Sequence, residues 1–188
     1  MTEKNYSFNT FNKFASDGIA ESLMINNAKI ETPIIVNIGS DLVLGDSLGP
    51  LVGTFLKSKG LRSYIYGTLN NPITAKEVEY ATLYLRKMHP KSFVIAVDAA
   101  IGTAEDVGLI RVLNRGIKPG LGVNKDLSEI GDVSIIGIVA AKSFNNIELF
   151  NETRLNLVYK MANVIAEGIF KYIDRLNKGA KNYISYGA

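Results

Sequence analysis

The stretch Ile34-Ile35-Val36-Asn37-Ile38-Gly39-Ser40-Asp41-Leu42-Val43-Leu44-Gly45-Asp46-Ser47-Leu48-Gly49-Pro50 decides the fold. Its first five residues are a short, β-branched run stopped by Gly39, the pattern of a buried strand. Gly39, Gly45 and Gly49 mark a loop that turns tightly. Pro50 suits the first turn of a helix, where a missing N–H costs nothing. Leu51, Val52, Phe55 and Leu56 follow at helical spacing, and Gly60 ends the segment.

Outward from this unit the pattern repeats. Arg62 to Leu69 reads as a second strand, broken by Asn70-Asn71-Pro72. Thr74 and Glu77 have the spacing of a capping box. Val78, Ala81, Leu85 and Met88 form the buried stripe of the next helix. Phe93 to Val97 reads as a third strand, ending at Asp98. Leu109–Leu113 and Val133–Ala140 read as two more, with a loop at Lys118-Pro119-Gly120-Leu121-Gly122 between them. Residues 147–177 form the longest expected helix, with Leu155, Val158, Met161, Ile165, Ile169, Tyr172 and Leu176 on one face. Residues 11–25 suit a short amphipathic helix within a helical N-terminal extension, residues 1–30. Alternating strands and helices predict a single α/β domain over 1–188. Its architecture is a three-layer α/β/α sandwich with a mostly parallel sheet.

The chain has 188 residues, 47% hydrophobic and 21% charged, which is ordinary for a globular domain. It has no cysteine, so disulfides, thiolate metal sites and a cysteine nucleophile are excluded. No apolar run approaches the roughly 18 residues that span a bilayer, and Met1 to Thr10 lack the order of a secretory signal. A cytoplasmic protein with no membrane partner is expected. The net charge of +3 comes from scattered residues, not from a basic patch interleaved with aromatics, so no nucleic-acid partner is expected. Neither the dinucleotide-binding nor the P-loop glycine pattern is present, and Asp46 inside the loop would repel phosphate. No cofactor is expected.

In a parallel sheet, ligands bind at the carboxyl ends of the strands. Asp46, after the first strand, and Asp98, at the end of the third, fall at that edge, with Asn70 and Asn71 nearby. Two carboxylates in one cleft do not both ionise readily. The ionised one can take a proton from water, and the protonated one can bond a carbonyl or protonate a leaving group. Asp46 precedes a helix N-terminus, which favours its charged form. Asp46 is therefore the expected base and Asp98 the expected acid. Gly39, Ser40, Asp41, Asn71, Lys118 and Arg154 are candidates for positioning a substrate. An aspartate before a helix can also be only a cap. The single histidine, His89, lies at the amino end of the sheet, away from this edge. Carboxylates alone suit soft transition metals poorly, so no metal site is expected.

Gly45-Asp46-Ser47-Leu48-Gly49-Pro50-Leu51-Val52-Gly53 resembles a motif of the YyaC-type sporulation protein family. So do Gly67-Thr68-Leu69 with Asn71-Pro72, and Asp98-Ala99 with Gly102. Lys118-Pro119-Gly120 with Gly122, Val123 and Lys125 also fits. The likeness continues through Ser134-Ile135, Gly137-Ile138-Val139 and Thr153-Arg154-Leu155, and runs in order from about Ile34 to Ile173.

That family is similar in fold to the germination proteases, which degrade small acid-soluble spore proteins, and to the hydrogenase maturation proteases, which clip a C-terminal extension. Both carry an acidic residue in the first loop and an aspartate after a later strand, which map onto Asp46 and Asp98. The resemblance implies a peptidase acting on a protein or peptide, in the mother cell or forespore of a spore former. It is compatible with a homo-oligomer. The nickel-sensing histidine of the hydrogenase maturation proteases has no counterpart here. The segment Ala140-Ala141-Lys142-Ser143-Phe144-Asn145 departs from the family pattern, so substrate preference does not transfer. Two rival readings use the same cleft: a non-catalytic protein that holds a peptide or partner, and a hydrolase of small amides or esters.

Overall fold

The structure is a computed structural model that describes residues 5–26, 32–118, 129–142 and 153–185. In chain order, β1 (Tyr6–Asn9) and α1 (Ala15–Asn26) lead to β2 (Ile34–Asn37) and α2 (Leu48–Ser58). Then come β3 (Ile65–Tyr66), α3 (Val78–Met88), β4 (Val94–Gly102), β5 (Leu109–Leu113), β6 (Val133–Ala141) and α4 (Leu155–Ser185). The described strands form one sheet in the order β1-β5-β6-β4-β2-β3. β3, β2, β4 and β6 run parallel, whereas β5 is antiparallel to both β6 and β1.

The pleat sorts the apolar residues into two layers. Ile35, Ile95, Val97, Val133 and Ile135 face one way and pack with Ile19 and Leu23 of α1, Leu48, Val52 and Leu56 of α2, and Met161, Ile165 and Ile169 of α4. Ile34, Val36 and Ala96 face the other way and pack with Val78 and Leu85 of α3 and with Ile117 and Ile130. The result is the expected three-layer α/β/α sandwich with a mostly parallel sheet. No described helix is long and apolar enough to cross a membrane.

Four elements differ from the sequence-based expectation. The N-terminal extension is not purely helical, because Tyr6–Asn9 alternate between half-buried and exposed and add a strand along β5. The second strand is only two residues long, because Gly67 takes φ +76° and Thr68 and Asn71 exchange both backbone hydrogen bonds in a tight turn. The third strand does not stop at Asp98 but continues to Gly102, pairing with β6. β6 carries one extra residue, Val139, where the register shifts between Ala100 and Ile101. The long helix runs from Leu155 to Ser185. The expected residues 147–152 of that helix, the loop 119–122, Val123, Lys125 and Ser143–Asn145 lie outside the described residues.

Candidate functional site

β2 and β4 end at different heights. Asn37, the last residue of β2, pairs with Val97, and Ile38 donates its N–H to the Val97 carbonyl before the chain leaves the sheet. β4 continues alone beside β6. Asp98 is the first residue above this step. It alternates with Val97 and lies on the same face as Ala96, the α3 side of the sheet.

The loop from β2 to α2 fills the space over the step. Gly39 has φ +139°, and a Cβ there would lie 2.0 Å from the Asp46 carbonyl oxygen, so only glycine fits. The Gly39 N–H bonds the Ile73 carbonyl, and the Ser40 N–H bonds the Asp46 carbonyl. Asp46 sits in a single 3₁₀ turn, Gly45–Ser47, that runs directly into α2. Pro50 occupies the first turn of α2 as expected. α2 meets the sheet at backbone contact. A Cβ on Gly49 would lie 2.0 Å from the Ile38 carbonyl oxygen, and one on Gly53 equally close to that of Gly67. The glycines at i and i+4 thus form a smooth stripe that lowers the helix, and Asp46 with it, onto the strand ends.

The two carboxyls have distinct environments. Asp46 is half-buried; burial raises its pKa above the ordinary aspartate value, and the Ser40 amide offsets part of the rise. The expected pull of the helix N-terminus toward the charged form does not outweigh this burial. For Asp98, burial pushes the pKa up to about 8, the Ala99 N–H opposes the rise, and the charge on Asp46 adds to it. The Ala99 N–H donates to Asp98 Oδ1 at 2.8 Å. Burial raises both carboxyls, and Asp98 alone is raised further by the other's charge. A coupled pair of this kind can present one donor and one acceptor to the same bound group.

The remaining candidates fall in different places. Ser40 is half-buried and its Oγ accepts the Leu42 N–H. Asp41 is exposed in the same loop. Asn71 and Asn70 are exposed on the tight turn after β3. This turn is tied to α2 through the Leu69 N–H, which bonds Thr54 Oγ1 at 3.0 Å. Lys118 is exposed, one residue past the Ile117–Ile130 bridge. Gly131, at the other side of that bridge, lies against Ala96 of β4, on the face that carries Asp98. Arg154 is exposed just before α4, its carbonyl capping the first turn. Neither Lys118 nor Arg154 joins an ion pair among the described residues.

His89 caps the C-terminus of α3 and its Nε2 lies 2.8 Å from the Tyr66 hydroxyl. Among the described residues, no group of three histidines, cysteines or carboxylates could hold a metal ion.

One supporting residue escaped the sequence reading. Asn37 is fully buried and its Nδ2 donates to the Tyr66 carbonyl at 2.8 Å, which ties β3 to the end of β2. A lone asparagine in an otherwise apolar strand was the available signal.

Residues 6–168 match the family described as "Protein of unknown function (DUF1256)". The chain is 47% identical over 137 residues to the Bacillus subtilis (strain 168) protein named "Uncharacterized protein YyaC", covering 72% of this chain and 67% of that protein. Among solved structures it is similar to the NiFe hydrogenase maturation protease HycI from Thermococcus kodakarensis KOD1. That likeness has 21% identity and a TM-score of 0.42, and covers 73% of this chain and 92% of the other. With its family match spanning most of the sequence, the chain belongs to the DUF1256 family, that of YyaC.

Proposed function

We propose that the chain is an endopeptidase in which Asp46 and Asp98 activate a water molecule against a peptide bond, with a protein of the sporulating or germinating cell as substrate. The observation that carries this reading is the unlike setting of the two carboxyls: burial pushes the Asp98 pKa up to about 8, and the charge on Asp46 adds to the rise. At neutral pH the ionised Asp46 takes a proton from water as the water oxygen attacks the carbonyl carbon. The Asp98 proton bonds the carbonyl oxygen as negative charge builds on it. Collapse of the tetrahedral species breaks the C–N bond, and the proton gathered by Asp46 passes to the leaving amine. Raising the pKa of one acid and leaving its partner ionised is the general device by which a carboxyl pair does acid and base work together. In this reading Asn71 and the loop that carries Asp46 position the peptide.

The test is incubation of small acid-soluble spore proteins with the wild type, Asp46→Asn and Asp98→Asn. Each swap keeps the shape and removes the ionisable group. Cleavage by the wild type, lost in both variants while they remain folded by circular dichroism, is the expected result. Cleavage that survives either substitution sinks the dyad. A wild type that binds these proteins without cutting them turns the reading to a peptide-binding protein on the same cleft.

A further inference from the structure

The loop that carries Asp46 also holds three consecutive apolar residues, Leu42-Val43-Leu44, where turn chemistry favours polar ones. Val43 and Leu44 are half-buried and anchor the loop. Leu42 is 87% exposed, more than any other large hydrophobic residue described. A single exposed leucine is ordinary; this one differs in where it stands and how it is held. Its N–H bonds Ser40 Oγ at 3.2 Å. The Val43 carbonyl receives the Ser47 N–H, and the Leu44 carbonyl receives the Ser47 hydroxyl at 2.7 Å. The Ser40 N–H closes the loop on the Asp46 carbonyl. Both arms of the loop are therefore pinned, and Leu42 projects from its tip within four residues of Asp46. The other exposed groups of the loop and the neighbouring turn, Asp41, Asn70 and Asn71, are polar.

We propose that Leu42 is the apolar lip of the cleft: it packs against an aliphatic or aromatic side chain of the bound peptide, close to the bond aligned with Asp46. The substrate class is then a polypeptide with a large apolar residue next to the cleavage point. This rests on the peptidase reading for its meaning but not for its test. A backbone already closed into a loop loses little freedom on binding, so the cost of ordering is confined to the leucine side chain itself. Because Leu42 touches so little of its own chain, it sets substrate preference without supporting the fold.

The experiment measures binding and cleavage separately. Fluorescein-labelled hexapeptides with two central residues drawn from Leu, Phe and Val, and matched ones with Gly and Ser there, are titrated by anisotropy. The protein carries Asp98→Asn so that turnover cannot consume the probe. The apolar peptides are expected to bind, Leu42→Ala to weaken them about tenfold, and Leu42→Asp to weaken them further. The Gly and Ser peptides are expected to be indifferent to both changes, and the melting temperature to stay that of the parent. Equal binding of the apolar set with and without Leu42, or no binding of that set, overturns the lip. Wild-type cleavage of the same peptides is scored independently. Binding that needs Leu42 without any cleavage keeps the lip and removes the peptidase; cleavage indifferent to Leu42 keeps the peptidase and removes the lip.

Discussion

Asp98→Asn isolates what it costs the fold to keep a buried acid on β4. In the folded chain burial pushes the Asp98 pKa up to about 8, from an ordinary value of 3.8. Between these limits the folded state holds a proton that the unfolded chain has released. Stability therefore falls as pH rises across this window: it is intact below the unfolded value, and the loss is complete once pH passes the folded one. The slope is about 1.4 kcal/mol per pH unit. At pH 7 the accumulated loss is about 4 kcal/mol, an upper limit because Asp98 keeps part of its surface in water. Asparagine has no proton to hold, and its side-chain oxygen still accepts the Ala99 N–H. The variant should match the wild type near pH 4 and exceed it increasingly up to pH 8. Paired urea titrations at several pH values read this directly, since every other titrating group is common to both proteins. Asp46→Asn should lower the pH at which the wild-type loss ends, because the Asp46 charge contributes to the shift. A difference between wild type and Asp98→Asn that does not change from pH 5 to pH 8 refutes the reasoning, and with it the assignment of Asp98 as the acid.

Two further outcomes follow from the same geometry. In Gly53→Ala, better helix propensity would stabilise by about 1 kcal/mol, but the new Cβ would sit 2.0 Å from the Gly67 carbonyl oxygen. That oxygen cannot retreat, because Gly67 is itself pressed against the Asn37 carbonyl. A net loss of about 2 kcal/mol or more is expected by urea unfolding, and a stabilised variant would show that α2 is not seated on this contact. For a peptide that the protein cleaves, kcat/KM should fall above about pH 8 as Asp98 loses its proton, and fall on the acid side as Asp46 gains one. A rate that keeps climbing through pH 9 removes Asp98 from the acid role.

The layers of the fold were legible because its strands are continuous apolar runs. Ile34–Asn37 is buried on both faces, which only a covered, mostly parallel sheet provides. β1 was not legible, since four residues with one alternation are too short to outweigh the helical pattern that follows them. The second strand was read too long because Gly67 and the Thr68–Asn71 turn break the pairing through backbone conformation, not polarity. Position along the strands brought Asp46 and Asp98 together on paper. Periodicity could not show that β4 outlasts β2, because strand ends are set by which neighbour turns away first. The glycines of the first loop were read as turn formers. For Gly39 that is right, but Gly49 lies in the helix and, with Gly53 four residues on, acts by letting it approach the sheet.

This difference bears on what the motif is for. Gly49, Gly53 and Gly67 touch backbone, not cleft, so their spacing would be required of a binding protein or an enzyme alike. What it achieves is a height: α2 sits low enough for Asp46 to stand over the step where β2 leaves the sheet. Asp98 rises into the same step from the pleat of β4, supported by one amide, that of Ala99. Asp46 comes from a loop and is partly stabilised by the Ser40 amide. Two identical side chains are thereby separated in acidity by their different burial and by the Asp46 charge acting on Asp98. A structural cap has no use for that separation, since a cap works best fully ionised against the helix N-terminus. A deeply buried Asp98 beside a less buried Asp46 is the arrangement on which the proposed proton-transfer role rests.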